Sequence, residues 1–332
     1  MLKYLALILT IIGLAAAIWL IGATGWQNVI AGVSSIGGLG FLTLMGWTGV
    51  NLIILGAGWL AVAPGIPRNQ LGTFAWARTT REAATDILPF SQFGGLVVGA
   101  RTAIAGGIRE PLVYASLIAD QTTELAAQLV FTMFGVVMLA LVLTDQTAAA
   151  GVLPLVLGGL ALMAGIMALF AFAQRPVLKM AQGLAGRLLP NSVATMAALT
   201  TELDMIYAQR GRVIAAFLLH LLAWVFSAAG AWIALRLMGS DVPLVDVLTI
   251  EALIFTLRTV AFAIPGGIGV QEGAYLLIGP LFGLSPSAAL ALSLVKRARD
   301  IAVGVPGVLL WQAFEVRALR AGKVVPTIKP SP

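Results

Sequence analysis

The sequence predicts an all-α polytopic membrane protein, with about six full transmembrane helices and two opposed re-entrant helical hairpins. Three observations carry that expectation. Of 332 residues, 60% are hydrophobic and only 10% charged, whereas an ordinary soluble domain is about 25% charged. Several runs reach the roughly 20 apolar residues that cross about 30 Å of hydrocarbon. Two long apolar stretches are each broken by a Pro/Gly cluster, at 88–95 and 265–273.

The elements follow in order. The run after Lys3 stays apolar beyond Ala15–Ala17, through Ile18, Trp19, Leu20 and Ile21. It reads as a retained signal anchor rather than a cleaved peptide. Span one covers 5–21, and the loop 22–37 carries no Lys or Arg. Span two covers 39–63, with Trp59 suited to the membrane interface. The segment 64–88 holds Arg68, Arg78 and Arg81; it is helical in character after Pro67 but too polar to face lipid. The first break, at Pro89 and Gly94-Gly95, precedes an apolar arm at 96–108. Spans three, four and five cover 117–143, 152–172 and 213–234. The second interrupted stretch, 248–283, breaks at Pro265-Gly266-Gly267, and span six covers 286–311. Residues 1–315 read as one transmembrane domain and 316–332 as a basic cytoplasmic tail.

Composition narrows the chemistry. With no Cys and one His, the chain excludes a disulfide scaffold, a Cys-ligated metal, a thiol nucleophile and a multi-His centre. No cofactor is expected. No window of about 100 residues has globular composition, which argues against an appended soluble enzyme domain. The net charge of +6 does not point to nucleic acid, because most basic residues lie in short loops and the tail. The flank segments with Lys3, Arg68–Arg81, Arg109, Arg175–Arg212 and the tail hold 14 of the 20 basic residues. The opposite loops hold one, Arg236. Both termini are therefore expected in the cytoplasm, in a bacterial inner membrane, with one hairpin entering from each side. The basic stretch 174–212 is either a solvated loop or an amphipathic helix on an anionic lipid surface, worth about 1 kcal/mol per basic residue.

The breaks are informative because Pro lacks an N–H and Gly disfavours helix. Freed backbone groups at membrane depth must be buried in protein or line a wet cavity. Paired broken segments of opposite orientation point to a transport site at the midplane. The alternative is a pair of Pro/Gly loops at the membrane surface.

Ionisable groups inside spans cost about 2.5–3.5 kcal/mol each on insertion scales, so they face a partner or water. Arg101, Glu124, Glu251, Arg258, Glu272, Lys296, Arg297, Arg299 and Asp300 are of this kind, with Asp120 at a span edge. Asp120 and Glu124 share a helix face, as do Glu251 and Arg258; Arg297 and Asp300 are spaced to pair locally. The set is nearly neutral. That fits structural ion pairs, and it equally fits a cavity that exchanges partners with a charged headgroup. Arg258 and Arg297 are the candidates for an anionic headgroup, since a guanidinium binds phosphate through two parallel donors. Arg101, Gln92 and the backbone of Gly266, Gly267 and Gly269 are further substrate contacts. Glu272 follows the second break and sits in a first helical turn, where it either stabilises its own N-terminus or couples protons. Glu124, Glu251 and Asp300 are the other charge-balancing candidates. His220, without a second ligand, reads as a helix-to-helix hydrogen bond. The Gly-rich break lacks phosphate-loop spacing and follows no strand, so nucleotide binding is not expected.

Pro265-Gly266-Gly267-Ile268-Gly269-Val270-Gln271-Glu272-Gly273, with Arg297 downstream, resembles the signature of the lysylphosphatidylglycerol synthase transmembrane region, also called the flippase-like domain. Leu88-Pro89-Phe90-Ser91-Gln92-Phe93-Gly94-Gly95 resembles the LPxRxGE-type motif of that family, with Gln92 in place of the usual basic residue and Gly95 in place of the acid. The variant is most similar to the hopanoid-biosynthesis-associated branch. The resemblance implies movement of a lipid or lipid-linked substrate between leaflets and does not imply lipid synthesis. Two alternatives stand beside it. A membrane enzyme would use Glu82, Asp86 or Asp120 as a base near the surface, and a non-transporting protein would assemble with lipid-biosynthesis enzymes.

Overall fold

The computed structural model describes residues 26–87, 91–144, 193–260 and 270–320, with a few isolated positions between 161 and 172. Spans one and four, both break centres (Pro89, Pro265, Gly266, Gly267 and Gly269) and the tail beyond Arg320 lie outside the described residues. So do the side chain of Gln92 and the basic residues Arg175, Lys179 and Arg187. Among the described residues the chain is all-helical. Its helices are α1 (Trp26–Ala61), α2 (Leu71–Ile87), α3 (Ser91–Ala105), α4 (Glu110–Thr144), α5 (Val193–Ala208), α6 (Arg210–Leu237), α7 (Leu244–Val260), α8 (Val270–Ile278) and α9 (Pro286–Arg320). Three of them contain stretches long and apolar enough to cross a membrane: Ser34–Ala61, Glu110–Val142 and Arg210–Leu237.

Several boundaries differ from the sequence reading. The expected loop 22–37 is helical from Trp26, and the chain turns at Gly37, whose φ of 72° breaks the helical path. A glycine is suited there because a Cβ disfavours left-handed backbone. α9 runs on to Arg320, so Arg317 and Arg320 belong to a helix rather than to a tail. Trp59, near the end of the candidate span Ser34–Ala61, is fully buried in protein; its indole N–H donates to the Ser116 hydroxyl at 3.0 Å, and its ring meets Phe74 edge-on. Ser116 supplies the acceptor that a buried indole needs.

The fold contains an internal correspondence. α2 and α7 each have 17 residues, and each is followed by a break, a short helix and a helix of 35 residues, α4 or α9. At 1.5 Å per residue the long helices span about 52 Å. Each long helix packs its first half on its own hairpin and its second half on the other. α4 meets α2 at Asp120 and Glu124, then meets α7 where Thr132 and Thr256 hydroxyls lie 2.8 Å apart. α9 meets α7 and α8 at Lys296, then meets α2 further on. There a Cβ on Gly304 would lie 2.8 Å from Ile87, and Phe314 packs edge-on against Trp76.

These contacts give directions. Along α9, Lys296 faces Glu251, and Asp300, one turn on, is an electrostatic neighbour of Arg258, so α7 runs parallel to α9. From Gly304 to Phe314 the partners on α2 go from Ile87 back to Trp76, so α2 runs antiparallel to it. The C-terminal ends of α2 and α7 therefore point at each other near the middle of α9. Two apolar cores flank that meeting point. One gathers Trp59, Phe74, Leu112, Leu203 and Ile206; the other gathers Leu44, Val136, Ile250, Leu253 and Leu292.

Candidate functional site

Three ion-paired clusters lie along the two hairpins. The first joins α2, α4 and α6. Its sequence origin is a polar face: Arg78, Arg81 and Glu82 recur at helical spacing on α2, opposite Asp120 and Glu124 one turn apart on α4. Arg78 donates to Asp120 at 3.1 Å and to both oxygens of Glu124, and bridges to Glu82 at 3.0 Å. Arg81 donates to Asp120 at 2.9 Å and to Glu124 at 3.0 Å. Gln121 donates to Glu124 at 2.7 Å, and His220 on α6 meets Asp120 at 2.8 Å. Arg78, Arg81, Asp120 and His220 are buried, while Glu124 and Glu82 keep partial access to solvent. Two guanidiniums against two buried carboxylates make an interior that neither side could hold alone.

The sequence reading placed Arg78 and Arg81 among the basic residues that set orientation. The structure removes them from that count, because both are buried in ion pairs rather than solvated at a surface. It also removes Asp120 as a surface base: the carboxylate is fully buried and accepts from two arginines.

The second cluster joins α7, α8 and α9. Lys296 donates to Glu251 at 2.5 Å and to the Tyr275 hydroxyl at 2.8 Å, and Tyr275 donates to Glu251. The Lys296 ammonium also lies 4.8 Å from the centre of the Phe255 ring, a distance at which the ring face attracts a cation. Glu251 and Tyr275 are fully buried and Lys296 nearly so. Glu251 is thus held by a lysine and a tyrosine. It shares no contact with Arg258, despite their common face.

The two clusters occupy corresponding places with opposite signs. Arg78 and Glu251 are each the eighth residue of their 17-residue helix. Asp120 and Lys296 are each the eleventh residue of their 35-residue helix. The first half places the cation on the hairpin arm and the anion on the long helix; the second half does the reverse.

The third group lies between the hairpin ends. Arg258, near the end of α7, faces Asp86, near the end of α2, at 3.5 Å. Arg299 donates to Asp300 at 3.1 and 2.6 Å, and Arg258 and Arg297 are further electrostatic neighbours of that carboxylate. Arg297 donates to Glu272 at 3.1 Å, and Glu272 accepts from Ser293 at 3.3 Å. Glu272 lies in the first turn of α8, as expected. Gln271 fastens the same turn by donating to the Ser293 hydroxyl at 3.1 Å. Asp86, Arg258, Glu272 and Arg299 are all partly exposed, whereas the Lys296–Glu251–Tyr275 cluster is buried throughout. Arg101 stands apart, paired with Glu315 between α3 and α9.

Arg258, Arg297, Glu272 and Asp300 are therefore brought to one region. Glu124 and Glu251 lie in separate clusters, and Arg101 lies outside all three. Asp86, Tyr275, Ser293 and Arg299 complete the arrangement. Tyr275 was missed because an aromatic in an apolar helix carries no sequence signal for a polar partner. No group of three or more metal-ligating side chains gathers among the described residues.

This is a helical membrane protein with paired charges along two broken arms. A family model for the lysylphosphatidylglycerol synthase TM region matches residues 5–307. The chain belongs to that family, and with it to membrane proteins that act on lipids. No curated protein and no solved structure matches it at a significant level.

The motif substitution at Gly95 has a steric reason. A Cβ there would lie 2.1 Å from the Thr85 hydroxyl and 2.7 Å from the Arg81 carbonyl oxygen. One helical turn on, a Cβ at Gly99 would lie 2.9 Å from the Arg81 Cβ. α2 and α3 approach too closely for the acid of the usual motif, in the manner of small-residue helix pairs.

Proposed function

We propose that the protein moves a lipid or lipid-linked molecule between the two leaflets, the headgroup passing between the hairpin ends while the tails stay in the bilayer. One observation carries this reading: the opposed ends of α2 and α7 meet at the partly exposed Asp86–Arg258 pair, halfway along a helix longer than a membrane is thick. A partly exposed charged pair at that depth is expensive unless it is used.

On this reading Arg258 meets the anionic headgroup first, because its bond to Asp86 is long and open to solvent. A phosphate displaces Asp86 and gains a bidentate partner. Arg297 is buried behind Glu272 and engages as that carboxylate turns away. Glu272 and Asp300 balance charge as the headgroup passes. Glu124 and Glu251 hold the hairpin arms to the long helices.

The same reading gives six full spans with two opposed re-entrant hairpins, both termini in the cytoplasm and a bacterial inner membrane. It assigns a phospholipid or hopanoid-type substrate, as in the hopanoid-associated branch. It assigns no catalytic step. Partners are the lipid substrate, an anionic lipid surface against the basic stretch 174–212, and lipid-biosynthesis enzymes.

The test is leaflet exchange in proteoliposomes, with labelled phospholipid and hopanoid analogues. Wild type is compared with Arg258→Ala, Arg297→Ala and Glu272→Gln. Protein-dependent exchange that falls in these variants supports the reading. No exchange across the lipid panel, from protein shown to be folded, rejects it.

A further inference from the structure

We propose that His220 is a proton-binding site, and that its protonation drives the exchange of the hairpin between two packings. The inference rests on the transport reading for its role, and on geometry alone for its existence.

His220 is the single histidine of the chain and is fully buried in the middle of α6. Its Nε2 faces Asp120 at 2.8 Å. Asp120 already accepts from Arg78 and Arg81 through its other oxygen, a setting in which an Nε2–H donor suits the ring. The other ring nitrogen, Nδ1, is buried with no hydrogen-bond partner. A buried imidazole with a bare Nδ1 is a base without a donor, and an unpaired buried polar atom costs stability. The ring has a vacant acceptor position where a proton fits.

The surrounding charges define what that proton does. α2 brings Arg78, Arg81 and Glu82; α4 brings Asp120 and Glu124. α1, which covers the ring at Gly58, has no ionisable side chain anywhere along its length. α6 itself has none between Arg212 and Arg236 except His220. The Glu251–Lys296–Tyr275 cluster is closed on itself. Around a neutral ring, two guanidiniums therefore face three carboxylates, of which Glu82 is the most exposed at 31%. A proton on Nδ1 cancels the excess negative charge. It also creates a second N–H donor that has no acceptor in the present packing. Protonation selects an arrangement in which α6 turns against α1 and α4 to satisfy Nδ1–H, and Asp120 shifts from the arginines toward the imidazolium. Releasing Arg78 and Arg81 from Asp120 loosens α2, the arm that ends at Asp86.

Gly58 makes the ring position tight. A Cβ there would lie 3.0 Å from Nε2 and 3.1 Å from Cε1. The imidazole is therefore held on one side by α1 and on the other by Asp120, so a change in its hydrogen bonding is transmitted to both helices.

The single histidine makes the test direct. Protein carrying ¹⁵N-histidine is placed in nanodiscs, and the ring nitrogens are followed by NMR from about pH 8 to about pH 5, where imidazoles ordinarily change charge. The expected spectrum is an Nε2–H tautomer at the alkaline end that becomes doubly protonated on acidification. In Asp120→Asn the tautomer preference is lost. In proteoliposomes, an imposed pH gradient speeds lipid exchange several-fold in wild type, and His220→Gln removes the acceleration while leaving undriven exchange. A ring that keeps one state throughout the range overturns the proposal, as does an Nδ1–H tautomer or a gradient response unchanged in H220Q. The titration uses wild-type protein, so a folding defect in H220Q leaves it decisive. Absence of exchange in wild type sinks the transport reading, and the titration still decides whether the proton site exists.

Discussion

Asp86 and Arg258 face each other at 3.5 Å although 172 positions separate them in the chain. Each stands near the end of its hairpin arm, just before a break. Their pair is one of two direct ionic links between the corresponding halves among the described residues, the other being Arg101–Glu315. Both side chains are partly exposed, at 27% and 19%. A pair of that length and exposure contributes about 0–1 kcal/mol, because water screens it. Its value is positional: it brings the two arm ends together without locking them.

Arg258→Ala should therefore leave unfolding in detergent nearly unchanged, by about 1 kcal/mol or less, while reducing lipid exchange strongly. Asp86→Asn should do the reverse on exchange of anionic lipids, since it removes the competitor of the headgroup. The check is a thermal melt paired with an exchange rate for each variant. A melt that drops sharply in Arg258→Ala would make the pair structural.

The buried first cluster behaves differently. Arg78 is 1% exposed and holds Asp120, Glu124 and Glu82 at once. Arg78→Met should cost about 3–5 kcal/mol, the range for stranding a buried charge. Arg78→Lys should recover only part of this, because an ammonium cannot span two carboxylates as a planar fork does. Chemical unfolding of the three proteins separates these outcomes; full recovery by lysine would show that charge alone matters.

How much of this was legible in the sequence follows from its physical basis. Apolar length exposed α4 and α6, while the Pro/Gly clusters at Pro89 and Pro265 lie outside the described residues. The shared face of Asp120 and Glu124 was readable from a spacing of one turn. What spacing could not show was the partner on another helix. Arg78 and Arg81 looked like surface basic residues because their environment comes from α4 and α6, distant in sequence. Glu251 and Arg258 share a face on one helix, yet Lys296 takes the first and Asp86 the second. Periodicity reports the face of a helix, and only packing reports what lies opposite. The partner of Trp59 was hidden for the same reason, since the Ser116 hydroxyl that satisfies its indole sits on a different helix.

The Lys296–Glu251–Tyr275 cluster should prove structural rather than transporting. All three side chains are buried and mutually bonded. Lys296→Met alone leaves Glu251 without its cation and should destabilise by about 3–5 kcal/mol. The double variant Lys296→Met, Glu251→Leu removes both charges and should regain most of that loss. Lipid exchange by the double variant should stay close to wild type. Stability restored without exchange would instead assign the triad a place on the substrate path.

Gly95 provides the sharpest test of hairpin packing. Alanine there has better helix propensity than glycine by about 1 kcal/mol, so propensity alone predicts a gain. Sterics predict the opposite. The new Cβ meets the Thr85 hydroxyl at 2.1 Å and the Arg81 carbonyl at 2.7 Å. Thr85 can rotate away, but the carbonyl belongs to the backbone of α2 and can move only with the helix. Overpacking of this kind costs about 1–3 kcal/mol. Gly95→Ala should therefore be destabilising on balance. Thr85→Ala in the same chain should relieve the first contact and leave the second, so the double variant recovers part of the loss. Gly95→Glu, which restores the acid of the usual motif, should be worse than alanine in both backgrounds. Unfolding midpoints of the variants decide it: a stabilised Gly95→Ala would mean that α2 and α3 stand further apart than the packing around Arg81 requires.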